Sequence, residues 1–129
     1  MRKVLVVDDS ETMRGIVREL LAPVAAEYTC VEASSAQRAM ALARLTVPDV
    51  ILADVLMRDM DGVELVEALH AEARPEVRRI PVVLLTASHE SELEARGLAA
   101  GAYAVLRKPV GHGALLAALR GAIARGRTS

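Results

Sequence analysis

Phenylalanine and tryptophan are absent from the 129 residues, and tyrosine occurs only as Tyr28 and Tyr103. The core must therefore be built from Leu, Val, Ile, Met and Ala, and there is no aromatic platform on which bases could stack. Cysteine is nearly absent as well. A lone Cys30 excludes an internal disulfide, which suits a reducing cytoplasm and a small buried thiol, with a reactive thiol as the alternative. Nor is there an excess of one charge: sixteen Lys and Arg against seventeen Asp and Glu leave a net charge of -1. The footprint of a direct nucleic-acid binder is missing, and Arg120, Arg125 and Arg127 near the end read as solvated. No apolar run is long enough to span a membrane. Met1-Arg2-Lys3 followed by four valine and leucine residues has the outline of a signal peptide, but Asp8 and Asp9 end the run too early for its apolar region. Repeats, linkers and low-complexity segments are also lacking, so a single domain over 1–129 with one core is expected, located in the cytoplasm.

What is present is alternation. Short apolar runs at residues 4–7, 28–31, 50–53, 82–85 and 103–106 are separated by helical patterns. This predicts an α/β fold whose parallel strands are buried on both faces. Pro48 and Pro81 stand just ahead of two runs, where a missing N–H is tolerated. The first helix follows the N-cap Ser10 and turns Met13, Ile16, Val17, Leu20 and Leu21 to one face, ending before Pro23. The second opens on Ser34-Ser35-Ala36-Gln37, a capping-box pattern, and presents Ala39, Met40 and Ala43. The third follows Gly62, buries Leu65, Val66 and Leu69, and stops before Pro75. The fourth begins at Ser91 and closes at Gly101, a residue suited to a left-handed C-cap. The fifth carries Leu115, Leu116, Leu119 and Ile123. Gly113 and Gly121 each weaken it by about 1 kcal/mol relative to Ala, so docking on the sheet must stabilise it. Right-handed β-α units of this kind give a doubly wound five-stranded parallel sheet, and 2-1-3-4-5 is one of its two common orders.

In an open parallel sheet, ligands bind at the carboxyl ends of the strands. Those ends carry Asp8 and Asp9, Asp54, Thr86, and Lys108-Pro109. Asp54 alone admits two readings, a functional carboxylate or a loop cap bonded to its own backbone. In the 2-1-3-4-5 order strands one and three are neighbours, so three carboxylates converge with a hydroxyl and an ammonium beside them. Crowded carboxylates raise one another's pKa unless a cation neutralises them. Oxygen-only ligands at an open loop surface suit a hard ion that keeps its waters, Mg2+ rather than zinc. His70, His89 and His112 lack ligand spacing and read as solvated.

Val7-Asp8-Asp9-Ser10, Asp54 with Met57, Met60-Asp61-Gly62, Leu85-Thr86-Ala87 and Lys108-Pro109 together resemble the receiver domains of two-component response regulators, of the single-domain chemotaxis type, over essentially the whole chain. The resemblance implies a flavodoxin-like (βα)5 fold and a phosphoacceptor signalling module that is not an enzyme. It implies that Asp54 accepts a phosphoryl group from a phosphohistidine on a sensor histidine kinase or phosphotransfer protein. Asp8, Asp9, Asp54 and the backbone carbonyl of Leu56 would hold Mg2+, while Thr86 and Lys108 would bind the phosphoryl oxygens. The physics agrees, since a carboxylate attacking a phosphoryl group needs the charge on both partners masked. A cis peptide before Pro109 is also implied. The fourth helix, fifth strand and fifth helix become the face that controls a downstream protein effector, in a monomer or a weak phosphorylation-dependent dimer. Two positions depart from the family pattern. Arg58 stands where Pro is common, and Val105 where Tyr or Phe is common, with Tyr103 on the same face by strand alternation. The alternatives are an aspartyl-phosphate type Mg2+ phosphatase and a phosphorylation-independent scaffold. Against the first, Leu56 occupies the position where such enzymes carry a general acid. Against the second, the acidic pair and the lysine are all retained.

Overall fold

The computed structural model describes residues 2–88 and 91–128. Five parallel strands, β1 (Arg2–Val7), β2 (Tyr28–Ala33), β3 (Val50–Asp54), β4 (Val82–Thr86) and β5 (Ala104–Arg107), stand in the order β2-β1-β3-β4-β5. The longer helices are α1 (Glu11–Leu21), α2 (Ala36–Thr46), α3 (Gly62–His70), α4 (Ser91–Ala100) and α5 (His112–Thr128). This is the doubly wound parallel sheet that the apolar alternation predicts, in the flavodoxin-like form that the resemblance implies. No helix among the described residues is long and apolar enough to cross a membrane.

Period-two alternation within each strand divides the core in two. Leu5, Val7, Ile51, Ala53, Val82 and Leu84 face one side, where Ala39, Met40 and Ala43 of α2 and Leu65, Val66 and Leu69 of α3 cover them. Val4, Val6, Val50, Leu52, Val83 and Leu85 face the other, under Val17 and Leu21 of α1 and Leu115, Leu119 and Ile123 of α5. Burial of both faces explains why these runs are apolar without interruption. The central strands are thereby rigid supports for whatever their carboxyl ends carry.

Several local expectations change. Ser10 caps α1 as expected, accepting the Met13 N–H at 3.2 Å. The cap of α2 is Ser35 rather than Ser34, accepting the Arg38 N–H at 3.1 Å. The capping box lies instead at α3, where Asp61 and Glu64 exchange side-chain and backbone bonds. Beyond α3 the chain adds a one-turn helix, Pro75–Arg78, with Pro at its first position. Gly101 has φ 116, the left-handed conformation expected at the close of α4. Tyr103 lies just ahead of β5, packs on the same core as its neighbour Ala104, and so does not share the face of Val105. Tyr103 packs on the α5 side, beneath the Arg125 guanidinium at 5.6 Å, while Val105 packs on the opposite core. A Cβ at Gly121 would run into the Tyr103 hydroxyl, so this glycine, which costs helix stability, makes room for the ring. At Val105 the neighbour is Gly97 of α4, where an added Cβ would come within 3.0 Å of the valine methyl. Cys30 is half-buried, and burial pushes its thiol up from the ordinary value, which suits an inert side chain.

Candidate functional site

The carboxyl ends of β1, β3, β4 and β5 meet at one edge of the sheet, and the register sets their depth: Val7 pairs with Ala53, and Asp54 with Leu85. Asp54 is the last residue of β3 and its side chain is 13% exposed. One carboxylate oxygen accepts the Leu56 N–H at 3.2 Å, and the other accepts the Lys108 ammonium at 2.9 Å. Lys108 follows β5, its peptide to Pro109 is cis, and its Nζ also lies 3.8 Å from Asp8 Oδ2. Asp8 is 5% exposed, and its second oxygen accepts the Ser10 N–H at 2.9 Å. Thr86 is buried, with its hydroxyl accepting the Ser88 N–H at 3.0 Å and its carbonyl accepting the Lys108 N–H at 2.8 Å.

Asp9 stands apart from this group. Its carboxylate lies 3.7 Å from Nε of Arg58, whose side chain is 93% exposed. The expected convergence of three carboxylates is therefore a tight pair, Asp8 and Asp54, bridged by Lys108, with Asp9 turned to an arginine on the neighbouring loop. Among the described residues, no three His, Cys, Asp or Glu side chains are gathered closely enough to hold a metal ion as they stand. The donor chemistry nonetheless fits Mg2+, which needs only one or two carboxylates and fills its other positions with water and substrate oxygens. An exposed ion pair such as Arg58–Asp9 is worth at most about 1 kcal/mol and yields readily to a dication.

Burial pushes the Asp8 carboxyl above its ordinary value, and the Asp54 charge adds to this. The Ser10 N–H and the Lys108 ammonium pull the other way. A raised carboxyl binds its proton more tightly in the folded than in the unfolded state. Metal-free stability therefore falls as pH rises from the ordinary aspartate value of about 3.9 to the raised folded value, and stays lower above it. Asp8→Asn is accordingly expected to melt higher than the wild type at pH 7 in EDTA, with the difference closing below about pH 4. Thermal melts across that range check it. A wild-type advantage at pH 7 would mean that Lys108 outweighs burial.

Four side-chain ties escaped the sequence reading. Arg14 of α1 donates to the Asp8 carbonyl at 2.7 Å and pairs with Glu32 of β2 at 3.0 Å, tying the end of β1 to its neighbours. Asp59 accepts the Ala36 N–H at 3.2 Å and the Gln37 N–H at 2.9 Å, at the start of α2. His112 Nδ1 bonds the Leu20 carbonyl at 2.7 Å, joining the start of α5 to α1, and His70 Nδ1 bonds the Ala100 carbonyl at 3.1 Å at the end of α4. Both rings must carry their proton on Nδ1, since a carbonyl only accepts. They are exposed, as expected, and additionally tie helix ends. His89 lies outside the described residues. Apart from the bond of Arg14 to the Asp8 carbonyl, these contacts join residues at least 18 apart in the chain, and no local pattern announces them.

The edge thus presents a strand-end carboxylate bonded to a lysine and flanked by further acids, on a 2-1-3-4-5 sheet. The chain matches the family model for the response regulator receiver domain over residues 4–120. It belongs to that family, the receiver domains of two-component signalling. Response regulator PleD of Caulobacter vibrioides is 40% identical over 119 residues, which are 92% of this chain and 25% of PleD. Protein-glutamate methylesterase/protein-glutamine glutaminase 3 of Anaeromyxobacter dehalogenans is 36% identical over 115 residues, 88% of this chain and 32% of that protein. The chain thus spans between a quarter and a third of the length of these relatives. Among solved structures, chemotaxis response regulator CheY4 of Vibrio cholerae is 34% identical with a TM-score of 0.82, covering 95% of this chain and 98% of that one.

Proposed function

We propose that residues 1–129 act as one phosphoacceptor module. Asp54 takes a phosphoryl group from a phosphohistidine on a sensor histidine kinase or phosphotransfer protein, in the presence of Mg2+, and the α4-β5-α5 face then controls a downstream protein. The observation that carries this reading is the 2.9 Å bond from Lys108 to a nearly buried Asp54 at the end of β3, next to Asp8. In the transfer, an Asp54 oxygen forms the new bond to phosphorus as the P–N bond breaks; that electron pair returns to the donor nitrogen, and a proton carried on the other nitrogen of the donor ring lets it leave as neutral imidazole. Lys108 masks the carboxylate charge during approach and then pairs with a phosphoryl oxygen. The Leu56 N–H holds one Asp54 oxygen and so sets the rotation of the carboxylate. Asp8, Asp9, Asp54 and the Leu56 carbonyl are the groups that would hold Mg2+, which supplies further positive charge against the phosphoryl oxygens. Leu56 has no proton to give, so turnover of external substrates lacks its general acid. Incubation with a small-molecule phosphodonor and Mg2+, followed by intact mass, is expected to add one phosphoryl group. No gain would reject the reading.

Thr86 is the proposed coupling element. Its hydroxyl holds the Ser88 N–H, and a phosphoryl group on Asp54 offers it a stronger, charged acceptor. Turning inward, the hydroxyl releases the loop that leads to α4. Val105 is β-branched and confined against Gly97, so it does not swing between rotamers, and the loop with α4 carries the change. Thr86→Ala is expected to accept phosphate at Asp54 yet lose most of the phosphorylation-dependent amide shifts of α4. A full wild-type shift pattern in that variant would remove the threonine from the mechanism.

A further inference from the structure

The loop of residues 55–61 carries the Leu56 amide bonded to Asp54, the Leu56 carbonyl, and Arg58 beside Asp9. Its ends are closed by backbone bonds, Val55 N–H to the Leu85 carbonyl at 2.9 Å and Gly62 N–H to the Val55 carbonyl at 2.7 Å. In the middle, Met57 and Met60 pack partly against the core, while their neighbours face outward. Leu56 is 68% exposed, the Arg58 side chain more so, and no proline restrains the backbone.

Asp59 is the polar anchor of that stretch, beside the two methionines. Its carboxylate reaches out of the loop to the first turn of α2, twenty-two and twenty-three residues earlier in the chain, and takes the Gln37 and Ala36 N–H groups on its two oxygens. The Ser35 hydroxyl takes the Arg38 N–H, and the Ala39 N–H makes the first regular bond of the helix, to the Ser35 carbonyl. The helix start is thus shared between its own cap and the acceptor loop, with Asp59 taking two of the orphan donors and Ser35 one. The Gln37 N–H chiefly, with that of Ala36, holds the Asp59 carboxyl below the ordinary aspartate value, so it remains a charged acceptor at neutral pH.

We propose that Asp59 is a positioning residue for phosphoryl uptake: by fixing the middle of the loop to α2, it holds the Leu56 amide and carbonyl in place against Asp54. The inference rests on the phosphoacceptor reading above. Asp59 touches neither phosphoryl group nor metal ion, and its effect passes through the loop backbone. The link is also mutual, so occupancy of the site is felt at the first turn of α2.

Ser35 provides the discriminating control, because it caps the same helix without touching the loop. Three variants, Asp59→Ala, Asp59→Asn and Ser35→Ala, are compared with the wild type. The readouts are the rate of phosphate uptake from a small-molecule phosphodonor, Mg2+ affinity by calorimetry without donor, and melting temperature. Asp59→Ala is expected to slow uptake by about fivefold or more, since displacement of reacting groups on the ångström scale costs that much or more, and to weaken Mg2+ binding with it. Asp59→Asn keeps an acceptor oxygen and is expected to recover most of both. Ser35→Ala is expected to lower the melting temperature as Asp59→Ala does, while taking up phosphate and binding Mg2+ like the wild type. Wild-type uptake and Mg2+ affinity in Asp59→Ala, or equal slowing in Ser35→Ala, would reduce Asp59 to a helix cap and overturn the positioning role alone. A wild-type protein that takes up no phosphate would overturn the phosphoacceptor reading itself, and the same series reports that separately.

Discussion

Asp54→Asn is expected to take up no phosphate from a phosphodonor under conditions where the wild type gains one phosphoryl group. The amide is nearly isosteric. Its oxygen can still accept the Leu56 N–H, so the strand end and its loop keep their geometry. What disappears is the negative nucleophile, and an amide oxygen is too weak a base to replace it, so the rate loss is at least on the order of a thousandfold. Lys108 loses its 2.9 Å ion pair and keeps only the longer approach to Asp8 at 3.8 Å. The variant therefore also separates chemistry from folding. Removing one of two crowded carboxylates relieves repulsion on Asp8 while weakening the hold on Lys108, and these effects oppose, so the melting temperature is expected to stay close to the wild type. Intact mass of both proteins after the same incubation checks the chemistry. An equal mass gain in the variant would place the acceptor elsewhere, and Asp8, the other buried acid of this edge, would be the first residue to examine.

Gly62→Ala is expected to damage the same chemistry without altering any charged group. Gly62 opens α3 directly beneath the end of β3, and a Cβ there would lie 2.7 Å from the Asp54 carbonyl oxygen, 2.9 Å from a Leu84 methyl and 3.0 Å from the Val55 Cα. Two of the three obstacles are backbone, so a side-chain rotation cannot relieve the contact. Either β3 or the start of α3 must move, at a cost of about 1–3 kcal/mol. For a chain of this length the melting temperature is expected to drop by roughly 5–15 °C. Phosphate uptake slows as well, because displacement of the strand end moves the carboxylate away from Lys108. Gly113→Ala is the matched control. Nothing lies within 4 Å of a Cβ at Gly113, and the change is expected to stabilise α5 by up to about 1 kcal/mol with no effect on uptake. Equal behaviour of the two variants would show that the close approach at Gly62 is not what the residue is for.

The parts legible in advance were those whose signal is local. Uninterrupted runs such as Val50-Ile51-Leu52-Ala53 announce strands buried on both faces, and the residue after each run is necessarily at a strand end. Asp8, Asp54, Thr86 and Lys108 could therefore be assigned to one edge from order alone. Tyr103 was misplaced because period-two reasoning holds only inside a strand. Tyr103 precedes β5, which begins at Ala104, and the two consecutive residues pack on the same core. The capping box proposed at Ser34 was displaced for a related reason. The Gln37 N–H that would follow it is taken by Asp59, a residue with no sequential relation to α2.

The sequence by itself determined the fold class, the single core divided by a sheet, and the set of acids, hydroxyl and ammonium at the strand ends, because apolar periodicity and strand-end placement are properties of short stretches. Only the tertiary structure decided how those groups share their charges. It joins Asp8 and Asp54 through Lys108, turns Asp9 toward Arg58, and hands two N–H groups of the α2 start to Asp59. These choices depend on the depth of each strand in the sheet and on which loop reaches which neighbour. An ångström of register or a single loop turn changes the partner of a charge without changing any pattern in the chain.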